Sequence, residues 1–165
     1  MKKFELTAES KIIAGKKLFR IKALISFGNV KEGELGGFVE KEENLDQSGN
    51  AWVYGDAMVY GDAMVYGDAM VYGDAMVHGN AEVYGNAEVY GNADYATVQG
   101  FGSEYRTTTF FRTKAGDIGV RCGCFYGTLD DFRKKVKETH GDSKTAKEYL
   151  MVADLMEFRF SEEEV

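Results

Sequence analysis

The sequence predicts a mainly β protein with a parallel β-helix at its centre. From Ala51 to Asn92 the chain reads AWVYGD, then AMVYGD three times, AMVHGN once and AEVYGN twice, without an insertion. Ala and Val never change in these seven units and stand two residues apart, so they share one face of an extended strand. Each unit ends in Gly followed by Asp or Asn, which tolerate the positive φ of a tight corner. Short strands and corners at a fixed period indicate a solenoid.

The other two strand positions of each unit are predicted to face outward. The residue between Ala and Val is Trp52 in the first unit, Met in the next four, and then Glu82 and Glu88. An unpaired carboxylate is too costly to bury in an apolar interior, so this position faces solvent. The position after Val is Tyr in six units and His78 in one, and it faces outward by alternation. With three units to a coil, residues eighteen apart stack on one another.

This segment resembles the left-handed β-helix of hexapeptide-repeat proteins, whose repeat has an aliphatic residue at one position and a small residue two places before it. The valines from Val53 to Val89 fit the first position, and the alanines from Ala51 to Ala93 fit the second, both at steps of six. The left hand is what this resemblance implies, since the period alone does not set it. We therefore expect a left-handed parallel β-helix built from a hexapeptide repeat.

The predicted helix extends beyond the perfect units on both sides and covers residues 33–100. Val39 and Leu45 fall in the alanine phase, and Gly49-Asn50 already reads as a corner. After Ala93 the pattern degrades. The body is then about three to four coils, roughly 15–20 Å tall at one strand spacing per coil.

Both ends of a solenoid expose unpaired strand edges, so caps are expected. Residues 1–32 are predicted to form an N-terminal β cap, a hairpin of the strands KFELT and KKLFRIKAL that turns at Ala14-Gly15. Residues 101–165 are predicted to form a C-terminal ββαα module. Its strands are YRTTTFFRT and DIGVRCGCF, and its first helix begins at Thr128 in a capping box with Asp131.

The charge is concentrated in the repeat. Residues 51–100 carry seven acidic and no basic residues, whereas the segments on either side are nearly balanced, and the net charge is −7. Such a segment repels nucleic acid and attracts cationic partners. The chain contains no run of about eighteen apolar residues that would span a membrane. The charged start MKKFELTAES does not read as a secretory signal, and with two cysteines we expect a cytoplasmic protein.

The outward positions form ladders of aromatic and methionine side chains, and such an apolar surface predicts a contact with another protein. The aromatic and histidine members of this predicted surface are Trp52, Tyr54, Tyr60, Tyr66, Tyr72, His78, Tyr84 and Tyr90. A homo-oligomer is the first expectation, and a trimer is favoured because trimers are common among hexapeptide β-helices. The alternative is that the stacked tyrosines only cover the walls of the solenoid.

A second predicted site lies on the strands of the C-terminal module. Arg106, Thr108 and Arg112 share one strand face, and Arg121 lies on the paired strand. Three guanidinium groups and a hydroxyl on one ribbon predict a site for a phosphate or carboxylate, such as a small anionic or nucleotide ligand. The alternative is a solvated face, or pairing of these arginines with Glu104 and the acidic tail 162–164.

No metal site and no cofactor are expected. Cys122 and Cys124, with the single His140, fall short of a four-ligand zinc site, and they are predicted to be buried strand cysteines. The stacked Asp56 and Asp74 are explained by their corners, which leaves metal binding the weaker interpretation.

Many hexapeptide-repeat enzymes are acyltransferases, and that resemblance implies a base histidine beside a cofactor groove. His78 replaces a ladder tyrosine, and no acidic residue stands beside it in the sequence to orient it. An acyltransferase-like enzyme is therefore kept only as an alternative to a protein without enzymatic activity.

Nearly the whole chain resembles a group of small proteins of bacteriophages and prophages. The stretches that carry the resemblance are FRIKAL, FGNVKEGELGGFVEKEENLDQSGNAWVYGDA, the repeat itself, and TTTFFRTKAGDIGVRCGCFYGTLDDFRKKVKETHGDSKTAKEYLMVADL. The resemblance implies a protein of the infected cell's cytoplasm and assigns no catalytic residue. For a rigid binding protein in that setting, we expect a counter-defence factor that sequesters a nucleotide-like immune signal or blocks a host defence protein. The alternative is an acidic mimic of DNA charge that inhibits a nucleic-acid-binding host protein.

Overall fold

The computed structural model describes residues 1–102 and 104–161. This part of the chain contains strands β1 to β14 and helices α1 and α2. Their bounds are β1 Phe4–Ile13, β2 Lys16–Ala23, β3 Leu35–Val39, β4 Trp52–Val53, β5 Met58–Val59, β6 Met64–Val65, β7 Met70–Val71, β8 Met76–Val77, β9 Glu82–Val83, β10 Glu88–Val89, β11 Tyr95–Phe101, β12 Arg106–Arg112, β13 Ile118–Cys122, β14 Phe125–Thr128, α1 Leu129–His140 and α2 Lys144–Arg159. Within these described residues, neither helix is long and apolar enough to cross a membrane.

The repeat folds as a β-solenoid, which confirms the mainly β prediction and the parallel pairing of residues eighteen apart. Strand β4 pairs with β7 and β7 with β10, while β5 pairs with β8 and β6 with β9, always valine opposite valine. The repeat alanines and valines are at most 1% exposed from Ala51 to Val89. Small and β-branched side chains therefore fill a narrow interior column, as their spacing predicts.

The first coil has a different phase from the one predicted. Val39 pairs with Val59 and Leu45 with Val65, so both occupy the valine place and not the alanine place. The offset is twenty residues here and eighteen below, because two extra residues lie between Leu45 and Val53. A six-residue period extended upstream from Ala51 places Val39 and Leu45 in the alanine position. The two inserted residues move them to the valine position instead, a shift of two residues along the strand.

The N-terminal cap continues a wall of the solenoid. The predicted hairpin is confirmed: β1 and β2 are antiparallel, and Ala14 and Gly15 have positive φ angles of 51° and 77°. Strand β2 pairs antiparallel with β3, and β3 pairs parallel with β5, which gives the sheet order β1-β2-β3-β5-β8. The hairpin thus protects the upper edge of the repeat by adding strands to one of its walls.

The cap also covers two side chains that the sequence predicts to be displayed. Trp52 is fully buried, with its ring 6.3 Å from Phe4 and 5.3 Å from Phe27, centroid to centroid. Tyr60 is 8% exposed and packs in a cluster with Leu18 and Phe38. Their outward direction was predicted correctly for the strand, but their exposure was not, because it depends on a segment distant in sequence.

The C-terminal module has four strands where the sequence predicts two. Strands β11, β12, β13 and β14 form an antiparallel sheet in that order, followed by the two helices that were predicted. The additional strand β11 begins at Tyr95, inside the range predicted for the solenoid, because Tyr95 takes the place of a repeat valine. The predicted capping box of α1 is present, with Thr128 Oγ1 accepting from the Asp131 amide at 3.2 Å.

The sheet of the module separates two apolar layers. On one face Phe111 and Tyr95 join the solenoid core, and the Glu82 amide donates to Thr109 Oγ1 at 3.0 Å. On the other face Phe110 packs edge-on against Phe132 of α1, with ring centroids 6.0 Å apart. The sheet therefore closes the lower end of the solenoid and is itself covered by the helices.

Candidate interaction surface

The outward tyrosines form three ladders, as the repeat spacing predicts. Tyr54, Tyr72 and Tyr90 stack with 4.6 Å between successive ring centroids and interplanar angles of 11° and 7°. Tyr60 stacks on His78 at 5.2 Å. Tyr66 lies on Tyr84 at 4.3 Å, with the rings tilted by 34°. What differs between the ladders is how much of each the two caps leave exposed.

The ladder of Tyr60 and His78 is covered at its upper end. The N-terminal hairpin buries Tyr60, while His78 below it remains exposed. The structure therefore removes Tyr60, like Trp52, from the predicted contact surface.

The ladder of Tyr66 and Tyr84 is occupied by the C-terminal module. The Arg121 guanidinium lies 4.8 Å from the centre of the Tyr84 ring and 5.7 Å from that of Tyr66. The Tyr126 ring approaches Tyr84 edge-on at 4.9 Å. A cation placed over these ring faces is attracted by their quadrupole, so this ladder docks the module on the solenoid.

The remaining ladder, Tyr54, Tyr72 and Tyr90, contains the one exposed tyrosine of the three ladders, and we call it the tyrosine column. Tyr54 and Tyr72 are half-buried, and Tyr90 is 55% exposed. The Tyr72 hydroxyl donates to Met70 Sδ at 2.8 Å, and the Tyr90 hydroxyl donates to Glu88 Oε2 at 3.2 Å. Burial raises the pKa of Tyr72 to about 12, so this central ring of the column is neutral at physiological pH.

Part of the acidic charge of the repeat is neutralised by the segments that flank it. Arg20 pairs with Asp56 at 3.1 Å, Lys41 with Asp62 at 3.1 Å, and Arg112 with Asp94 at 2.9 Å.

The remaining acidic side chains of the repeat are not neutralised by a salt bridge within the described residues. In the ranges 1–102 and 104–161, the other four acids of the repeat make no salt bridge: these are Asp68, Asp74, Glu82 and Glu88. Asp74 follows the corner after Tyr72, and Glu88 stands two residues before Tyr90. The tyrosine column therefore carries two carboxylates that have no cationic partner in this part of the chain.

The four residues of the predicted anion site do not come together. In the β12–β13 pair, Thr109 lies opposite Arg121 and Thr108 opposite Cys122, so Arg121 is on the solenoid face of the sheet. Arg106, Thr108 and Arg112 are on the helix face. Their placement depends on the register across the β12–β13 turn, which the residue pattern of a single strand does not define.

On the helix face, the three remaining members have different surroundings. Thr108 is 1% exposed and donates to Cys122 Sγ at 3.1 Å. Arg112 pairs with Asp94, and its guanidinium lies 5.3 Å from the centre of the Phe160 ring. Arg106 is exposed, as is Glu104, and residues 162–164 lie outside the described residues.

The two cysteines are free thiols in unlike places. Cys122 is half-buried at the end of β13, whereas Cys124 is exposed in the turn before β14, which corrects the prediction of two buried strand cysteines. Within the described residues, no group of three or more His, Cys, Asp or Glu side chains is placed to hold a metal ion. His78 is exposed and makes no ion pair there.

Comparison with known proteins supports the solenoid. A family model described as the YdcK Beta solenoid repeat matches residues 51–67 and again residues 63–79. A search of curated proteins finds no match to the chain. The repeat is therefore similar to a known β-solenoid repeat, and the match covers two adjacent, overlapping stretches of it.

Proposed function

We propose that this β-solenoid protein is a non-catalytic binding protein, and that the tyrosine column is its contact surface for a protein partner. The observation that carries the proposal is that Tyr90 of this ladder is the one exposed tyrosine of the three ladders, together with the unpaired carboxylates of Asp74 and Glu88. Tyrosines held rigidly by stacking lose little conformational freedom when a partner covers them, which favours binding.

The charge of the surface indicates the class of partner. Carboxylates beside the column repel phosphate groups and attract a protein with lysine or arginine at its surface. A basic host defence protein, including one that itself binds nucleic acid, fits this surface. Capture of a nucleotide-like signal by Arg106, Arg112 and Arg121 has less support, because these residues lie on two faces of a sheet.

The proposal includes the setting that the phage resemblance implies. The protein is a phage-type counter-defence factor that acts in the cytoplasm of the host cell. Its repeat is a left-handed hexapeptide β-helix of about three to four coils. The chain associates as a homo-oligomer, with a trimer favoured. Light scattering tests the last point directly, since a trimer has three times the chain mass of 18.4 kDa.

The contact surface is tested by capture from infected bacterial cells and by binding assays with the purified captured protein. Tyr90→Ala removes the most exposed ring of the column. Tyr105→Ala is the matched control, because Tyr105 is 70% exposed but lies outside the repeat. We expect Tyr90→Ala to weaken binding about tenfold or more, in the range of an interface hot spot, and Tyr105→Ala to leave it unchanged.

Salt distinguishes a basic partner from one that is held by apolar contact alone. Binding through unpaired carboxylates weakens as ionic strength rises, and a nucleic-acid-binding partner releases the protein when DNA is added. Equal binding by the two variants would contradict the column as the contact surface. Turnover of an acyl donor that is lost in His78→Ala would contradict the absence of catalysis.

A further inference from the structure

The C-terminal module contains a small cavity that neither the tyrosine column nor the docking on the solenoid involves. It lies on the helix face of the sheet, against β13, β14 and both helices, and has a volume of about 110 Å³. Its apolar walls are Phe125, Phe132, Val136 and Tyr149. An apolar cavity of about 150 Å³ is large enough to hold benzene. This cavity is smaller than that and is open on the side of the exposed Lys135 and Thr139, so a single ring is the largest group that it would take, with any substituent outside.

The rings that wall the cavity are inclined to one another, one pair tilted and the other edge-to-face. Phe125 and Phe132 are 5.8 Å apart with an interplanar angle of 57°, and Phe132 and Tyr149 are 5.6 Å apart at 87°. Edge-to-face contacts of this kind leave ring faces and edges available to a further aromatic ring. The walls therefore favour a planar aromatic guest over a flexible aliphatic one.

The rim of the cavity is cationic. Lys135, Thr139 and His140 line it from the last turns of α1, and none of the lining residues is acidic. Lys135 and His140 make no salt bridge within the ranges 1–102 and 104–161. A hydroxyl, an ammonium group and an imidazole together provide donors for an anionic group at the entrance.

A thiol, that of Cys122, also lines the cavity. Cys122 is half-buried there, and its Sγ accepts a hydrogen bond from Thr108 Oγ1 at 3.1 Å. Of the four residues predicted to bind an anion, Thr108 approaches this cavity through that contact. Occupation of the cavity would cover the thiol, which supplies a chemical readout independent of binding measurements.

We propose that this cavity binds a monocyclic aromatic carboxylate. The ring lies among Phe125, Phe132 and Tyr149, and the carboxylate is held at the rim by Lys135 and His140. The proposal goes beyond the protein-binding function given above and does not depend on it, so either can fail without the other.

The probe is benzoate, with benzyl alcohol as the neutral molecule of similar shape, and binding is measured by calorimetry on the full chain. We expect saturable binding of benzoate that is at least about tenfold weaker in Lys135→Met, the size expected for one charge-assisted hydrogen bond. Lys134→Met is the matched control, since Lys134 is exposed on the same helix but does not line the cavity. Equal affinities for benzoate and benzyl alcohol, or equal effects of the two variants, would overturn the anionic class.

The second measurement is the rate at which iodoacetamide alkylates Cys122 in a Cys124→Ser background, which leaves a single thiol. We expect saturating benzoate to slow this reaction several-fold in the Lys134→Met protein, and to slow it much less at the same concentration in the Lys135→Met protein. If benzoate shows no saturable binding, or binds without protecting Cys122, the cavity is not the site.

Discussion

A buried lysine closes the upper end of the interior column. Lys3 is 1% exposed, and its ammonium group donates to the Ala51 carbonyl at 2.8 Å and to the Ser48 and Gly49 carbonyls at 3.4 Å. The Phe27 ring centre lies 4.8 Å from Nζ. Burial lowers the pKa of Lys3 to about 8. The top coil has no neighbour above it to satisfy these carbonyls, and Lys3 takes that place.

We expect Lys3→Met to lower the free energy of unfolding by about 1–3 kcal/mol, because it leaves buried carbonyls without a donor. Urea denaturation measures the change. The matched control is Lys2→Met, which removes an ion pair with Glu42 at the surface and should leave the free energy of unfolding nearly unchanged. Similar costs for the two variants would show that the carbonyls are satisfied in another way.

At the scale of residues, the sequence predicts direction well and exposure poorly. The repeat valines and alanines were placed inward correctly because alternation along a strand is a local property. Trp52 and Tyr60 also point away from the column, yet the N-terminal hairpin covers them. No residue within the repeat carries information about covering residues that lie more than twenty positions away in the sequence.

At the scale of elements, the corner glycines differ in what surrounds them. Gly67 and Gly79 have similar φ angles of 70° and 68°. A Cβ built on Gly67 would lie 2.9 Å from the Gly85 amide nitrogen and 3.2 Å from the Tyr84 ring, whereas one built on Gly79 meets nothing within 4 Å. The next coil therefore packs against the corner at Gly67 and leaves no space for a Cβ there, whereas the equivalent corner at Gly79 has space for one.

This difference predicts unequal effects of one substitution. Gly79→Ala should cost about 1 kcal/mol, the strain of a left-handed backbone with a Cβ. Gly67→Ala should cost about 1–2 kcal/mol more, because overpacking adds to that strain. Chemical denaturation of the two variants gives the comparison, and equal costs would mean that the coils separate easily at this corner.

Elements outside the repeat were predicted where a local signal exists. Thr128 and Asp131 predict the start of α1, and Ala14-Gly15 predict the hairpin turn, because helix caps and turns depend on a few adjacent residues. Strand β11 was missed since Tyr95 interrupts the pattern that came before it. The side of the sheet on which Arg121 lies was missed because register across a turn is a property of two strands.

At the scale of the whole molecule, several tyrosines are neutral far into the alkaline range. Burial is the main cause that raises the pKa of Tyr66, Tyr72 and Tyr149 to about 12. In the unfolded chain each would ionise near a pH of about 10. The folded state therefore retains protons that the unfolded state loses, and this contribution to stability is complete below about pH 10 and lost as the pH rises towards about 12.

We expect the free energy of unfolding to fall with pH between about 10 and 12, and ultraviolet absorbance of the phenolate to show a late-titrating class of tyrosines. Tyr72→Phe should reduce both the size of that class and the steepness of the fall. A single titration of all tyrosines near pH ~10 would contradict this account.

Both ends of the solenoid are capped, so a change in the length of the repeat changes how the two caps are placed. The upper cap holds the first coils through Arg20 and Lys3, and the lower module holds the last ones through Thr109 and Arg121. Excising or duplicating eighteen residues would move the lower module along the axis by one strand spacing and keep it facing the same way. A change of six or twelve would instead turn the module about the axis relative to the upper cap, while its contacts with the last coil, which moves with it, would be kept. The near-identical units thus form a spacer in which the number of units sets both the distance between the two caps and their relative orientation.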